Sequence, residues 1–338
     1  MRFGIGLGRT LTADGAAQLA KVADEYDYEH CTFIDSQNLC RDSSAMMTLA
    51  AANTTRIRIG HAVTNPYTRH AAVIANSIGT LDEISDGRAF LGIGAGGSAV
   101  AMVGQHPRPL SELADHIAFF RDFTAGRQAS WQGQVMRSEW LRRYIPVVIG
   151  THGAKSCRLA GRIADGVFLP GFDPGIARWK RARVAEGANQ VGRGLADLRL
   201  WCRGAVFVHE DKDYAREYVR SYAATSAYYL WRSVLRFDTD ERRALAEDLP
   251  TAVLEEMVKL ADRYDFSQHE TVGAAHAADL SDRLIDCFAI YGPPGRCVER
   301  LEQLRALGVD RASLVLYGVP DQAAMIRRFV EDVAARLG

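Results

Sequence analysis

Four short stretches of this chain carry residues able to bind or transform a small molecule, and each follows directly on a short apolar run. In FIDSQN, Asp35 and Ser36 supply a carboxylate and a hydroxyl that can position a substrate or a ring edge, although an Asp in such a place also caps helices. In GHAVTNPYTRH, Pro66 drives Asn65 out of helical geometry. Small residues at Gly60 and Ala62 leave the backbone open to a flat ring, with Thr64 and Asn65 beside it; Asn65 as a plain helix cap is the competing reading.

The third stretch, GRAFLGIGAGGS, sets Gly92, Gly94, Gly96, Gly97 and Ser98 after a strand-like run. It is neither the dinucleotide fingerprint nor a P-loop, because no P-loop Lys follows and no helix of the right register is expected to open there. What remains is backbone bare of Cβ, against which a cofactor can lie. The fourth, IPVVIGTHGAKS, ends a strand in Gly150, Thr151, His152 and Gly153 before a helix starting near Ala154. Backbone N–H groups at such a helix start suit a phosphate, while the plainer alternative is that Gly153 closes a turn. His152, His61 and His70 are the acid–base candidates, His152 first, since imidazole titrates near neutral pH. There is no Ser-His-Asp context, no paired-carboxylate signature and no HExxH, which speaks against hydrolysis. The chemistry then has to come from a bound cofactor.

Positioning these stretches calls for a repeating scaffold. Apolar or β-branched runs at 2–7, 31–34, 57–60, 89–93, 146–149, 166–169, 198–208 and 312–316 alternate with segments of helical period. Eight such repeats predict a (β/α)₈ TIM barrel, whose strand C-termini gather loops at one mouth. Taken singly, each Gly- or Asn-rich strand end is ordinary turn chemistry. The stretch of about 211–286 breaks the rhythm and reads as a mostly helical insertion before the last strand, within a single domain of 1–338. Its aromatics, among them Tyr218, Tyr222, Tyr228, Tyr229, Trp231 and Phe237, suit a lid, a dimer surface or a packed helical face.

Of 338 residues, 48% are hydrophobic and 24% charged, and the 41 basic side chains balance the 41 acidic ones. That balance argues against nucleic-acid partners, and no apolar run is long enough for a membrane span. The opening residues lack the h-region of a secretory signal, and the six cysteines show neither a CxxC pair nor zinc spacing. A cytoplasmic protein with no metal site is expected.

VTNPYTRH followed by TLDEISDGRAFLGIGAG, together with IPVVIG, AGRIADG and the tail CFAIYGPPGRCVERLEQLRALGVDR, resembles the bacterial-luciferase-like superfamily, and in particular its methylene-tetrahydromethanopterin reductases. The resemblance runs along essentially the whole chain. It implies a barrel with an insertion, a homodimer, and coenzyme F420 (a deazaflavin) or reduced FMN held in the barrel mouth. It also implies a non-prolyl cis peptide at Ala62–Val63 behind the ring, contacts from Thr64 and Asn65, a ring edge or tail along Gly94, Gly96, Gly97 and Ser98, and a phosphate at Gly150, Thr151 and Gly153. Two departures stand out. Ser36 occupies the place where the family often has His, and Ala95 and Gly97 stand where many relatives carry Arg and Asp.

Three functions follow. One is hydride transfer between F420 and a small organic substrate, with Asp35, Ser36 and His152 as the catalytic candidates. Another is a monooxygenase using reduced FMN delivered by a separate flavin reductase. The third is a cofactor-free binding barrel, for which the departures at Ser36, Ala95 and Gly97 are the support.

Overall fold

The computed structural model describes residues 1–106, 108–236 and 239–337, without the side chain of Thr239; Phe237 lies outside the described residues. Eleven strands occur among them. They are β1 (Arg2–Gly6), β2 (His30–Phe33), β3 (Arg58–His61), β4 (Ala89–Ile93), β5 (Ala129–Trp131), β6 (Gln134–Met136), β7 (Val147–Gly150), β8 (Gly166–Pro170), β9 (Arg199–Val208), β10 (Ala289–Gly292) and β11 (Arg311–Val315). The order β9-β11-β1-β2-β3-β4-β7-β8 closes on itself through a pairing of β8 with β9, giving the eight-stranded parallel barrel expected from the sequence. These strands read as almost unbroken apolar runs because a parallel barrel strand is covered on both faces, and β4 and β8 are buried at every residue.

Three features depart from the sequence reading. β10 is an additional strand, running beside Ala205–Val208 of β9 while β11 pairs with Cys202–Ala205. β5 and β6 form a small antiparallel hairpin whose three-residue strands are too short to leave a periodic signature. A five-residue helix, Ser98–Met102, does open directly after the glycine loop, against expectation.

The chain divides into two compact units. One holds Met1–Gly4, Thr151–Arg162 and Phe168–Gly338; the other holds Ile5–Gly150 and Ile163–Val167. In the second unit the strand N-termini are tied by two polar anchors. Asp24 accepts the backbone N–H groups of Thr55, Arg56 and Ile57, which offset the cost of burying it and hold its carboxyl below the usual range. Arg88 donates to the carbonyls of Ala51, Thr54, Ile57 and Ser85 and to the Thr54 hydroxyl, all within 3.0 Å. Four carbonyls left over at helix ends and the start of a strand thereby find a donor.

In the first unit the insertion is helical, as expected: Lys212–Leu230 runs into a π turn, Trp231–Leu235, followed by Thr239–Ala246, Thr251–Arg263 and Asp282–Asp286. Tyr222, Ser226 and Tyr229 recur on one face of the long helix, and Tyr222 packs edge-on against Tyr317. Glu241 moors the insertion, accepting from Arg158 on helix Ala154–Ile163 at 2.6 Å and from Arg183 on helix Pro174–Asn189 at 2.7 Å. No helix among the described residues is long and apolar enough to cross a membrane.

Candidate active site

Beyond the end of β2 the chain carries Asp35, 2% exposed, into a knot of donors. Its Oδ1 accepts from Ser43 at 3.0 Å, Gln37 at 3.1 Å and Arg69 at 3.2 Å, and its Oδ2 from Thr64 at 2.6 Å. Burial alone would raise this carboxyl. The His61 ring, the Thr64 hydroxyl and the Arg69 guanidinium outweigh burial and hold it below the ordinary range. Asp35 is therefore a fixed anion and a positioning group, with no proton to give near neutral pH. Ser43 spends its one proton on Asp35, so the 3.0 Å contact between Ser43 Oγ and His61 Nε2 needs the proton on Nε2. Burial pushes the His61 imidazole down to about 4 against the pull of Asp35, and its Nδ1 is left buried without a hydrogen-bond partner.

After β3 the peptide Ala62–Val63 is cis, as the resemblance implies. The ladder with β4 resumes at once: Thr64 N–H donates to Gly92 O and Gly94 N–H to Thr64 O, both at 2.9 Å. Three glycines make room for this bulge. A Cβ on Gly92 would run into the His61 carbonyl, while one on Gly94 or Gly150 would come within 3.0 or 2.9 Å of the Val63 methyl groups. The result is a wall of Ala62, Val63, Ala95, Gly96, Gly97, Ser98 and Gly150, all part-exposed, nearly free of charge and rich in bare backbone. That surface fits a planar heterocycle.

Thr64 and Asn65 do not share in it, each being 1% exposed. Thr64 is engaged with Asp35. Asn65 folds back on its own turn, its Oδ1 accepting from the N–H groups of Tyr67 and Thr68 at 3.0 Å. The following helix, Ala71–Ile84, is capped by His70, whose Nδ1 accepts from Ala72, so the competing reading of Asn65 as its cap fails as well. Ser36 and Ser98 are brought together, their hydroxyls 3.1 Å apart, and Asn38 donates to Met102 O at 3.1 Å. The β2 loop thus grips both ends of the short helix Ser98–Met102.

In the first unit, Thr151 gives its backbone N–H and its hydroxyl to Phe168 O, both at 3.2 Å. His152 is half-buried against the Tyr229 ring, 5.0 Å between centroids, and its Nδ1 has no hydrogen-bond partner. Burial and the field of Lys180 push its imidazole down to about 3, so it is neutral at pH 7. Gly153 is glycine because Ser233 of the π turn presses on it; a Cβ there would come within 2.9 Å of Ser233 Cβ. The N–H groups opening helix Ala154–Ile163 and the orphaned imidazole nitrogen suit an anionic, hydrogen-bonding tail.

A family model described as luciferase-like monooxygenase matches residues 1–311. The chain belongs to the luciferase-like monooxygenase family. Within that family it is 29% identical over 318 residues to the 5,10-methylenetetrahydromethanopterin reductase of Methanolobus tindarius, covering 92% of this chain and 93% of that protein. It is 27% identical over 344 residues to the enzyme of the same name from Archaeoglobus fulgidus, covering both chains completely. The F420-dependent glucose-6-phosphate dehydrogenase of Beutenbergia cavernae is 28% identical over 307 residues, covering 85% of this chain and 80% of that one. Among solved structures, the coenzyme F420-dependent tetrahydromethanopterin reductase from Methanopyrus kandleri superposes with a TM-score of 0.79 at 23% identity, covering 100% and 99% of the two chains. The oxygenating constituent of 3,6-diketocamphane monooxygenase from Pseudomonas putida, solved with FMN, gives 0.68 at 15% identity over 100% and 99%. These superpositions establish the luciferase-like barrel.

Sequence reasoning missed the partners of this luciferase-like site. Ser43 and Arg69 meet Asp35 from separate elements, and His61, named only as an acid–base candidate, reaches it through Ser43; nothing in local spacing announces it. Lys180 had a signal: it is a charged residue in register with the buried Ile176 and Val184 of its helix.

Proposed function

We propose that this protein is an F420-dependent oxidoreductase, exchanging a hydride between the deazaflavin and a small organic substrate. The observation that carries this reading is the bare-backbone wall around Val63, at the C-terminal strand ends, in a chain similar from end to end to 5,10-methylenetetrahydromethanopterin reductases. The deazaflavin, when bound, supplies hydride chemistry that no side chain here can.

In this reading Ala62, Val63, Gly96, Gly97, Ser98 and Gly150 bear on the ring, with buried Gly94 leaving room for Val63 and Thr64 and Asn65 bracing that wall from behind. Thr151, His152 and Gly153, with the start of helix Ala154–Ile163, hold the phosphate. Asp35 is an ionised brace that fixes Thr64 and Arg69. The Ser36–Ser98 contact offers a hydroxyl pair beside the wall along which a proton can pass, since either oxygen can be the donor. The reading includes a single domain of 1–338 with the insertion at about 211–286, and a cytoplasmic homodimer.

The test is a fluorescence titration of the purified protein with F420 and, separately, with FMN. Saturable quenching of F420 with little or none of FMN is expected. Quenching of FMN alone would turn the assignment to the flavin monooxygenase served by a separate reductase, and binding of neither would leave a cofactor-free barrel.

A further inference from the structure

Lys180 is 1% exposed, on a helix that otherwise turns Ile176, Ala177, Val184 and Ala188 inward. Its ammonium donates to Pro170 O at 2.5 Å, and among the described residues no carboxylate pairs with it. A buried ammonium answered by one carbonyl is costly, and an anion nearby relieves the cost. The place where an anion would sit is close. Pro170 ends β8 two residues beyond Phe168, whose carbonyl holds both polar groups of Thr151. Loop and ammonium therefore hang on neighbouring carbonyls of one strand end, roughly 7 Å apart along the chain. The field of Lys180 reaches His152 within that loop, and the His152 ring nitrogen that lacks a partner belongs to the same loop.

Taking the loop as the phosphate site of the proposed function, we propose that Lys180 is its buried counter-charge: the amine takes up a proton as the cofactor phosphate settles, so anion and proton bind together. The other groups facing the amine are Cys157 on helix Ala154–Ile163 and Cys202 on β9, with Arg181 beside Cys202 and Arg158 and Glu241 beside Cys157. Burial pushes the Cys202 thiol up to about 12, raises that of Cys157, and brings the Lys180 amine down to about 8. With both thiols pushed up and the amine brought down, Lys180 is the one of these three groups placed to titrate between about pH 6 and 9. Below about pH 8 the amine is charged before and after binding, and affinity is full. Above it, binding has to recruit a proton, and affinity falls with rising pH until the raised value in the complex is passed.

The experiment is calorimetric titration of the full-length protein with F420 at about pH 8.5 in two buffers of unlike ionisation enthalpy, with quenching titrations across about pH 6.5 to 9.5. A fraction of a proton taken up per cofactor is expected, with a Kd that is flat below about pH 8 and weakens about tenfold above it, the weakening expected when binding moves the amine's titration midpoint up by about one pH unit. Lys180→Met should bind more weakly at neutral pH, with no uptake and a flat profile, and should melt no lower than the wild type, since it removes a buried charge. Normal F420 binding with no proton uptake in the wild type overturns this proposal alone, as does undiminished uptake in folded Lys180→Met. If neither F420 nor FMN binds at any pH, the cofactor reading falls and this proposal with it. The wild-type calorimetry decides the matter even if the variant does not fold.

Discussion

Asp35 shows how a residue that looks catalytic in sequence becomes a brace in three dimensions. Four donors converge on it, two of them from residues more than 25 positions away, Thr64 and Arg69. Asp35→Asn should cost about 2–3 kcal/mol, measured by denaturant unfolding, because it leaves those donors facing a neutral amide. With its carboxyl held down in the fold, the stability Asp35 contributes is present above the unfolded value of about 4 and is lost as pH falls through the lower folded value. The rate of hydride transfer should accordingly show no ionisation belonging to Asp35 between about pH 5 and 9; a step in that window that vanishes in Asp35→Asn would return it to the list of acids. Three histidines whose imidazoles the fold pushes down behave alike. Their imidazoles lie near 4 for His61 and His116 and near 3 for His152. Ring-proton resonances of all three should stay unmoved from about pH 8 to 5.5, and a midpoint near 6.5 for any of them would contradict the burial that sets these values.

Among elements, the bulge after β3 and the two strand ends around it work as one piece. Gly94→Ala or Gly150→Ala pushes a methyl group onto Val63, at a cost of about 1–2 kcal/mol for overpacking. Either should weaken F420 binding about tenfold, which is about 1.4 kcal/mol, whereas Gly295→Ala, with open space around its Cβ position, should leave binding unchanged. At the other end of the same strands Arg88→Ala strips five acceptors of their donor and should destabilise the fold by about 3 kcal/mol without altering cofactor affinity in the folded protein. The eight barrel strands were legible because burial on both faces writes a continuous apolar run, and the glycines were legible because backbone closeness needs no distant partner. β10 was harder to see, being four residues, AIYG, right after a long helical stretch. Side-chain partners were not legible at all: Ser36 and Ser98 meet across 62 positions, and only the fold sets that distance to 3.1 Å.

For the whole molecule, the ring closes through β9, whose ten residues take β8, β10 and β11 as partners. Since β1 and the Ile163–Val167 segment carry chain from one compact unit straight into the other, heating should give a single calorimetric transition with equal van't Hoff and calorimetric enthalpies; two resolved peaks would mean two separately folding bodies. The mooring of the insertion has a further consequence. Glu241 travels with the inserted segment, while Arg158 and Arg183 belong to helices of the underlying barrel. Lock and key are thus encoded in different parts of the gene. A chimera that grafts a foreign insertion onto this scaffold leaves Arg158 and Arg183 to share Glu186 alone unless the graft brings an acid to meet them, so recombination among relatives is restrained at this seam.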